Sequence, residues 1–212
     1  MGTVKKGILD GFSGKVGTVV GGSWKGINYM RSVPQKVKNP RTEKQVSHRT
    51  KFALTLAYLK PINPLLRVGW KHYANKQSPF NAAMSYALAN AITGVFPDYR
   101  IDPAKVLISH GSLTPPSEAL ASKENGSITL SWEDNSGIGS AKQTDKALIA
   151  VVNQALGDAL IDSTETERME KGVTLPIPAD WTSDSLDIYL GFVSEDGKEV
   201  ANSVYLGSIT ML

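Results

Sequence analysis

The stretch "GFSGKVGTVVGGSWKGINYMRS", residues 11–32, comes nearest to a chemistry-bearing motif, with six glycines, Lys15, Lys25, Arg31 and Trp24. A phosphate-cradling loop needs G-x-x-x-x-G-K-[ST], because its last hydroxyl holds magnesium and its first glycine starts the wrap. Here Val16 follows Gly14-Lys15, and Leu9 stands five positions before Gly14, so the motif fails at both ends. The dinucleotide pattern G-x-G-x-x-G is absent as well. Gly11 to Gly14 has the spacing of a nucleic-acid-clamping GXXG loop, without the helices that flank one.

Nucleophilic and metal chemistry fare no better. The chain has no cysteine, which excludes disulfides, thiolate ligands and cysteine nucleophiles. No serine sits in a G-x-S-x-G elbow. His48, His72 and His110 lie on different elements, none at i, i+4 from another ligand. The carboxylates of "DSTETERMEK" (162–171) and "WEDNSG" do not meet the spacing of a calcium loop. The expectation is a protein that is not an enzyme and needs no cofactor or metal.

Cations and rings are more informative. Lys15, Lys25, Arg31, Lys36 and Lys38, interleaved with Trp24 and Tyr29, are the ingredients of a nucleic-acid surface: charges for phosphates, rings for stacking. Arg41, Lys44, His48 and Lys51 recur at i, i+3, i+7 and i+10, one stripe of a helix, and Arg49 lies beside them. Cations in a first helical turn oppose the helix dipole by a few tenths of a kcal/mol, roughly, each. The stripe reads either as a solubilising face or as a surface for an anionic partner facing the helix start. The residues expected to bind a partner or nucleic acid are therefore Lys15, Trp24, Lys25, Arg31, Lys36, Lys38, Arg41, Lys44, Arg49 and Lys51.

The elements that must position them change along the chain. Residues 4–33 read as a glycine-punctuated β-ribbon, with strands 15–20 and 23–33 and a hairpin at Gly21-Gly22. Gly14, Gly17 and Gly26 then mark bulges or close approaches. Asn39 suits a helix N-cap and Pro40 its first position, predicting a helix over 40–59. "PLLRVGWKHYAN" predicts a second, shorter helix. Ser78 and Pro79 start a third, whose Phe80, Ala83, Met84, Ala87, Leu88 and Ala91 share one face. These helices form, in this reading, a small bundle with the ribbon.

Residues 96–105 and 112–126 are loop-rich, and beyond the boundary strands are read at 105–113, 127–135, 146–154, 158–167, 172–179, 186–194 and 202–212. Seven short strands with turn signals between them are the content of an immunoglobulin-like sandwich, and the missing Cys pair argues for a fibronectin-type-III-like variant. Trp132 and Tyr189 serve as core aromatics. The fold expected is α+β: a basic β-ribbon and helical module over 1–103, then an acidic sandwich over 104–212.

Charge follows that division. Residues 1–80 carry 15 Lys/Arg against two acids, and residues 81–212 carry 8 against 18, balances of +13 and −10 within a net +3. Such polarity suits halves that partner each other. No apolar run is long enough for a membrane span or an N-terminal signal peptide. Cytoplasmic synthesis is expected, followed by incorporation in a particle or export by a non-classical route.

"GKVGTVV…WKG…R" followed by "NPRTEKQVSHRTKF" resembles an uncharacterised family, a domain of unknown function common in Bacteroidota-type bacteria. The resemblance rests on Gly14–Gly17, Trp24–Gly26 and Asn39–Thr42 with Gln45, Arg49 and Phe52, and extends to "LSWEDN", "LPIPADW" and Asn202–Gly207. Similar Asn-Pro-x-Thr…Gln…Arg segments occur in phage-like structural proteins. No activity or site residue follows from the likeness, but it implies an assembly or virion-like role. The expected function is self-association, head to tail, into a ring, filament or particle. The alternative is non-specific nucleic-acid binding through the basic module. A third reading makes the sandwich a surface-binding module with Trp181 as its contact.

Overall fold

The computed structural model describes residues 3–4, 11–33, 41–74, 76–124, 126–162, 166–181 and 183–210. The chain divides into two compact units, residues 1–42 and 43–212.

The first unit is an antiparallel meander of β1 (Thr3–Val4), β2 (Phe12–Val16), β3 (Val19–Trp24) and β4 (Ile27–Ser32), in that spatial order. Its turns are not where the glycine pair suggested. The chain reverses at Gly17-Thr18, with Gly17 at φ +57°, and at Lys25-Gly26, where φ is +48° and +81°. Positive φ at both central residues is the turn whose twist matches that of paired strands. Gly21 and Gly22 lie inside β3, in register with Met30 and Tyr29. Their missing side chains serve close approach: a Cβ on Gly21 would collide with the Phe12 carbonyl oxygen.

The second unit begins with α1 (Glu43–Leu59), α2 (Asn63–Gly69) and α3 (Pro79–Asn90). Asn39 and Pro40, the expected start of the first helix, lie outside the described residues, and Arg41 and Thr42 precede the helix. Glu43 in the first turn complements the dipole. At α3 the Ser78 Oγ accepts from the Asn81 amide at 3.1 Å, capping a helix whose first residue is Pro79. The short strands β5 (Ile92–Thr93) and β6 (Arg100–Ile101) pair with each other after α3.

A β-sandwich follows: β7 (Ser117–Glu124), β8 (Ser127–Glu133), β9 (Lys146–Asn153), β10 (Asp158–Asp162), β11 (Gly172–Pro176), β12 (Ser185–Val193) and β13 (Val204–Thr210). One sheet runs β11-β8-β7, the other β10-β9-β12-β13, and every neighbouring pair is antiparallel. The sandwich therefore has seven strands, but its first strand is 117–124 and not 105–113. "SEALASKE" is poor in β-formers, and pairing with β8 holds it extended. Residues 105–113 form a joint instead: His110 N–H donates to Gly69 O, Ile108 N–H to Ser203 Oγ, and Ser109 O accepts from Ser203 N–H.

The helices do not form a separate bundle. Tyr58, Leu59, Leu65, Leu66, Met84 and Ala87 pack in one core with Leu148, Ala150, Val152 and Tyr189. The opposite face of the same strands, Ile149, Val151, Ile188, Leu190 and Phe192, fills the sandwich interior with Trp132 and Leu130. Three layers result: helices, four-stranded sheet, three-stranded sheet. Each aliphatic or aromatic side chain so buried contributes about 1.5–3 kcal/mol. The expected boundary at 103/104 falls inside this shared core. The structural division lies at 42/43: helices and sandwich together form the unit 43–212, and residues 1–42 form the other.

Candidate interaction surface

Register sorts the first sheet's side chains, because directly opposed residues of antiparallel strands share a face. Lys15 opposes Val20, Val20 opposes Arg31, Gly22 opposes Tyr29 and Trp24 opposes Ile27. Lys15, Val20, Trp24, Ile27, Tyr29 and Arg31 therefore lie on one face. Tyr29 lies across the sheet rather than standing off it, since a Cβ on Gly22 would meet its hydroxyl at 2.9 Å and its ring at 3.0 Å. Trp24 and Ile27 flank the Lys25-Gly26 turn and are 61% and 71% exposed.

Among the described residues the other face is uncharged. It carries Phe12, Gly14 and Val16 from β2, Val19, Gly21 and Ser23 from β3, and Asn28, Met30 and Ser32 from β4. Val16 is exposed and Met30 is 70% exposed. Gly21 is the single buried residue among the described residues of this unit. Among the described residues this sheet has apolar side chains on both faces and buries only Gly21, and such a sheet gains stability by packing a face against another layer.

The ten residues expected at a binding surface separate. Lys15, Trp24 and Arg31 converge on the ring-bearing face, with Lys25 at its end. Lys36 and Lys38 lie outside the described residues, and Arg41 closes the first unit. Lys44, Arg49 and Lys51 belong to α1 in the second unit. The helical stripe loses its first member, because Arg41 precedes the helix. Lys51 is engaged within its own unit, its Nζ 4.6 Å from the centre of the Tyr99 ring. Moving the boundary to 42/43 also reapportions charge, leaving +7 on residues 1–42 and −4 on 43–212.

Trp181 is buried in the sandwich core and presents no contact surface. His110 packs against the Tyr73 ring at 4.2 Å, and its Nδ1 lies 2.6 Å from Asn202 Oδ1, which also accepts from Gly111 N–H. That arrangement ties residues 110–111 to 202. Among the described residues no three His, Asp or Glu side chains gather as metal ligands. No described helix is long and apolar enough to cross a membrane.

Two buried polar networks were not anticipated. In the first, Arg168 is fully buried, its Nη2 3.1 Å and its Nε 3.2 Å from Asp145 Oδ2. Its Nη1 donates to Asn135 Oδ1, its Nη2 to Thr114 O, and the guanidinium sits 3.8 Å over the Phe192 ring. Burial lowers the Arg168 pKa, and Asp145 opposes that shift. In the second, buried Asp187 accepts from Tyr58, Gln154 and Tyr205. Burial above all, then Tyr189 and Asp187, pushes the Tyr58 hydroxyl far above its ordinary 10.0. A cavity of about 130 Å³ adjoins it, lined by Leu54, Ala57, Ile101 and Val152 among others. The sequence did carry a signal: Asp187 interrupts the apolar run "LDIYLGFV", where a carboxylate requires partners.

Fold and surface together define an α+β protein with a seven-stranded antiparallel β-sandwich and an exposed N-terminal sheet. The chain belongs to a family of unknown function, DUF6266, whose model matches residues 11–207 and so spans both units. No curated protein matches it in sequence. Among solved structures it is similar to the fn3 domain of the human collagen alpha-1(XX) chain, at 17% identity and a TM-score of 0.35, over 49% of this chain and 90% of that one.

Proposed function

We propose that this chain is a non-enzymatic structural protein that self-associates, its N-terminal unit finding in a neighbouring copy the layer it lacks. The observation that carries this reading is the first sheet. Among its described residues only Gly21 is buried, while the uncharged face exposes Val16 and Met30. Among the described residues no strand pairs with the outer edge of β4. Units of about 40 residues seldom stabilise themselves without a staple or a partner.

The partner surface is the second unit of the next copy. Opposite net charges, +7 and −4, draw the two together, and a contact between unlike surfaces propagates head to tail into a ring or filament. The sandwich, rigid through its double core, acts as the spacer. Resemblance to phage-like structural segments agrees with a place in a particle.

Light scattering on the eluting protein at low and at high salt tests the reading. The expected result is a multiple of the monomer mass that falls as salt rises, and a monomer in the Val16→Lys/Met30→Lys variant. A wild-type chain that stays monomeric whatever the salt would refute it.

A further inference from the structure

We propose that the ring-bearing face of the N-terminal sheet is a binding site for single-stranded nucleic acid. This goes beyond self-association, which seats the opposite, uncharged face on its partner and uses the cations only through the unit's net charge. Four observations carry it.

The first is charge. Lys15 and Arg31 share this face through their common neighbour Val20, and Lys25 stands at its end. Asp10 is the only acid in residues 1–42, whose net charge is +7. A polyanion suits such a surface better than a neutral partner.

The second is the state of the rings. Trp24 and Tyr29 are exposed on the same face as the cations. Tyr29 lies over Gly22, held low on the sheet by the missing Cβ, which leaves ring surface toward solvent instead of an upright hydroxyl. Bases stack on such rings whatever their identity, which makes binding tolerant of sequence.

The third is spacing. Trp24 lies in the row of Ile27 and Tyr29 two residues further along β4. At a strand rise of about 3.4 Å per residue the two rows are about 7 Å apart. At that spacing an extended single strand can lay successive bases on the two rows. The Val20–Arg31 row, with Lys15, follows about 7 Å beyond, where the backbone of the same strand would run.

The fourth is the segregation of faces. Among the described residues the opposite side of the sheet carries no charge, so the strands' cations and exposed rings are gathered on one side by the register. A merely solubilising distribution has no reason to exclude one face.

The full-length protein and a fluorescent oligo(dT) 20-mer test the proposal. Trp24 is the one exposed tryptophan of four, Trp70, Trp132 and Trp181 being buried, so quenching of tryptophan emission reports stacking at this face. Binding followed by anisotropy is expected to quench that emission. The affinity is expected to fall with salt at a log–log slope of about 2 in magnitude, for three cations at about 0.7 each. Trp24→Ala weakens binding about tenfold, Trp24→Phe restores most of it, and Lys15→Glu/Arg31→Glu reduces the slope to about 0.7. The Phe variant guards against a sheet that has failed to form.

Several results overturn the proposal. One is no binding at low salt. Another is equal affinity for heparin, which has charge but no bases. A third is binding that survives both sets of variants and is lost in Arg41→Glu/Lys44→Glu, which would place the site at the start of α1. A fourth is dissociation of the self-assembly by Lys15→Glu/Arg31→Glu without any oligo(dT) binding, which would make the acidic unit of another copy the occupant.

Discussion

Arg168 and Asp145 show how a charge pair can be buried without catalysis being implied. The guanidinium spends its donors on Asp145, Asn135 and Thr114 O, and its face on Phe192, so nearly every polar direction is answered. Removing one partner of such a pair strands the other charge in a medium that cannot solvate it. Asp145→Ala is expected to lower unfolding free energy by about 3–5 kcal/mol, read from the urea midpoint. Tyr58 makes the pH prediction. Its folded pKa is raised above 10.0, so above that pH the unfolded chain releases a proton that the folded chain keeps. The stabilisation is present in full below pH 10 and is lost as pH rises beyond it. The urea midpoint should therefore drop in alkaline buffer, and Tyr58→Phe should flatten that drop. An unchanged alkaline profile in the variant would remove Tyr58 from the account.

At the scale of elements, caps and glycines decide more than propensity. Ser78 and Pro79 announced α3 in the sequence, and the cap bond is present. Ser78→Ala should lower stability by about 1 kcal/mol, seen as a lower melting temperature. Gly21 and Gly22 were legible as glycines but not as to purpose. A glycine pair between extended runs reads as a hairpin, and only the register shows the turns one glycine away on either side, at Gly17 and Gly26. Gly21→Ala would push a methyl group against the Phe12 carbonyl and part β2 from β3. Backbone amide shifts in β2 and β3 should change, while those of β9 and β12 stay put. The opposite misreading befell 117–124, whose small and charged residues hide a strand that exists because β8 offers it a ladder.

For the whole molecule, the informative contrast is between a unit whose described residues bury only Gly21 and one with two cores. Native-state hydrogen exchange should find the amides of β9 and β12 protected to the level of global unfolding. Those of β2 to β4 should exchange orders of magnitude faster in the monomer and slow on assembly. Equal protection in the monomer would mean that the first sheet is stabilised in a way its exposure does not suggest. The second unit also shows why the domain boundary was misplaced. Strand "KALIAVVN" is apolar at both parities, the signature of a sheet covered on both faces. An isolated sandwich covers one face of each sheet, so that run already asked for a third layer, and the helices supply it.

What the sequence determined by itself was local or compositional. It held the seven-strand content, the α3 cap, the aromatic core positions Trp132 and Tyr189, the lack of thiol chemistry and the basic start of the chain. These follow from periodicity, capping and charge, which act within a few residues. Only the tertiary structure decided which face each side chain takes, which layer the helices join, and that Lys15, Trp24, Tyr29 and Arg31 meet while Lys44, Arg49 and Lys51 stay with the other unit. Those outcomes depend on strand register and on contacts between residues more than a hundred positions apart, such as Tyr58 with Asp187. A one-residue shift in pairing would have sent the same cations to the opposite face.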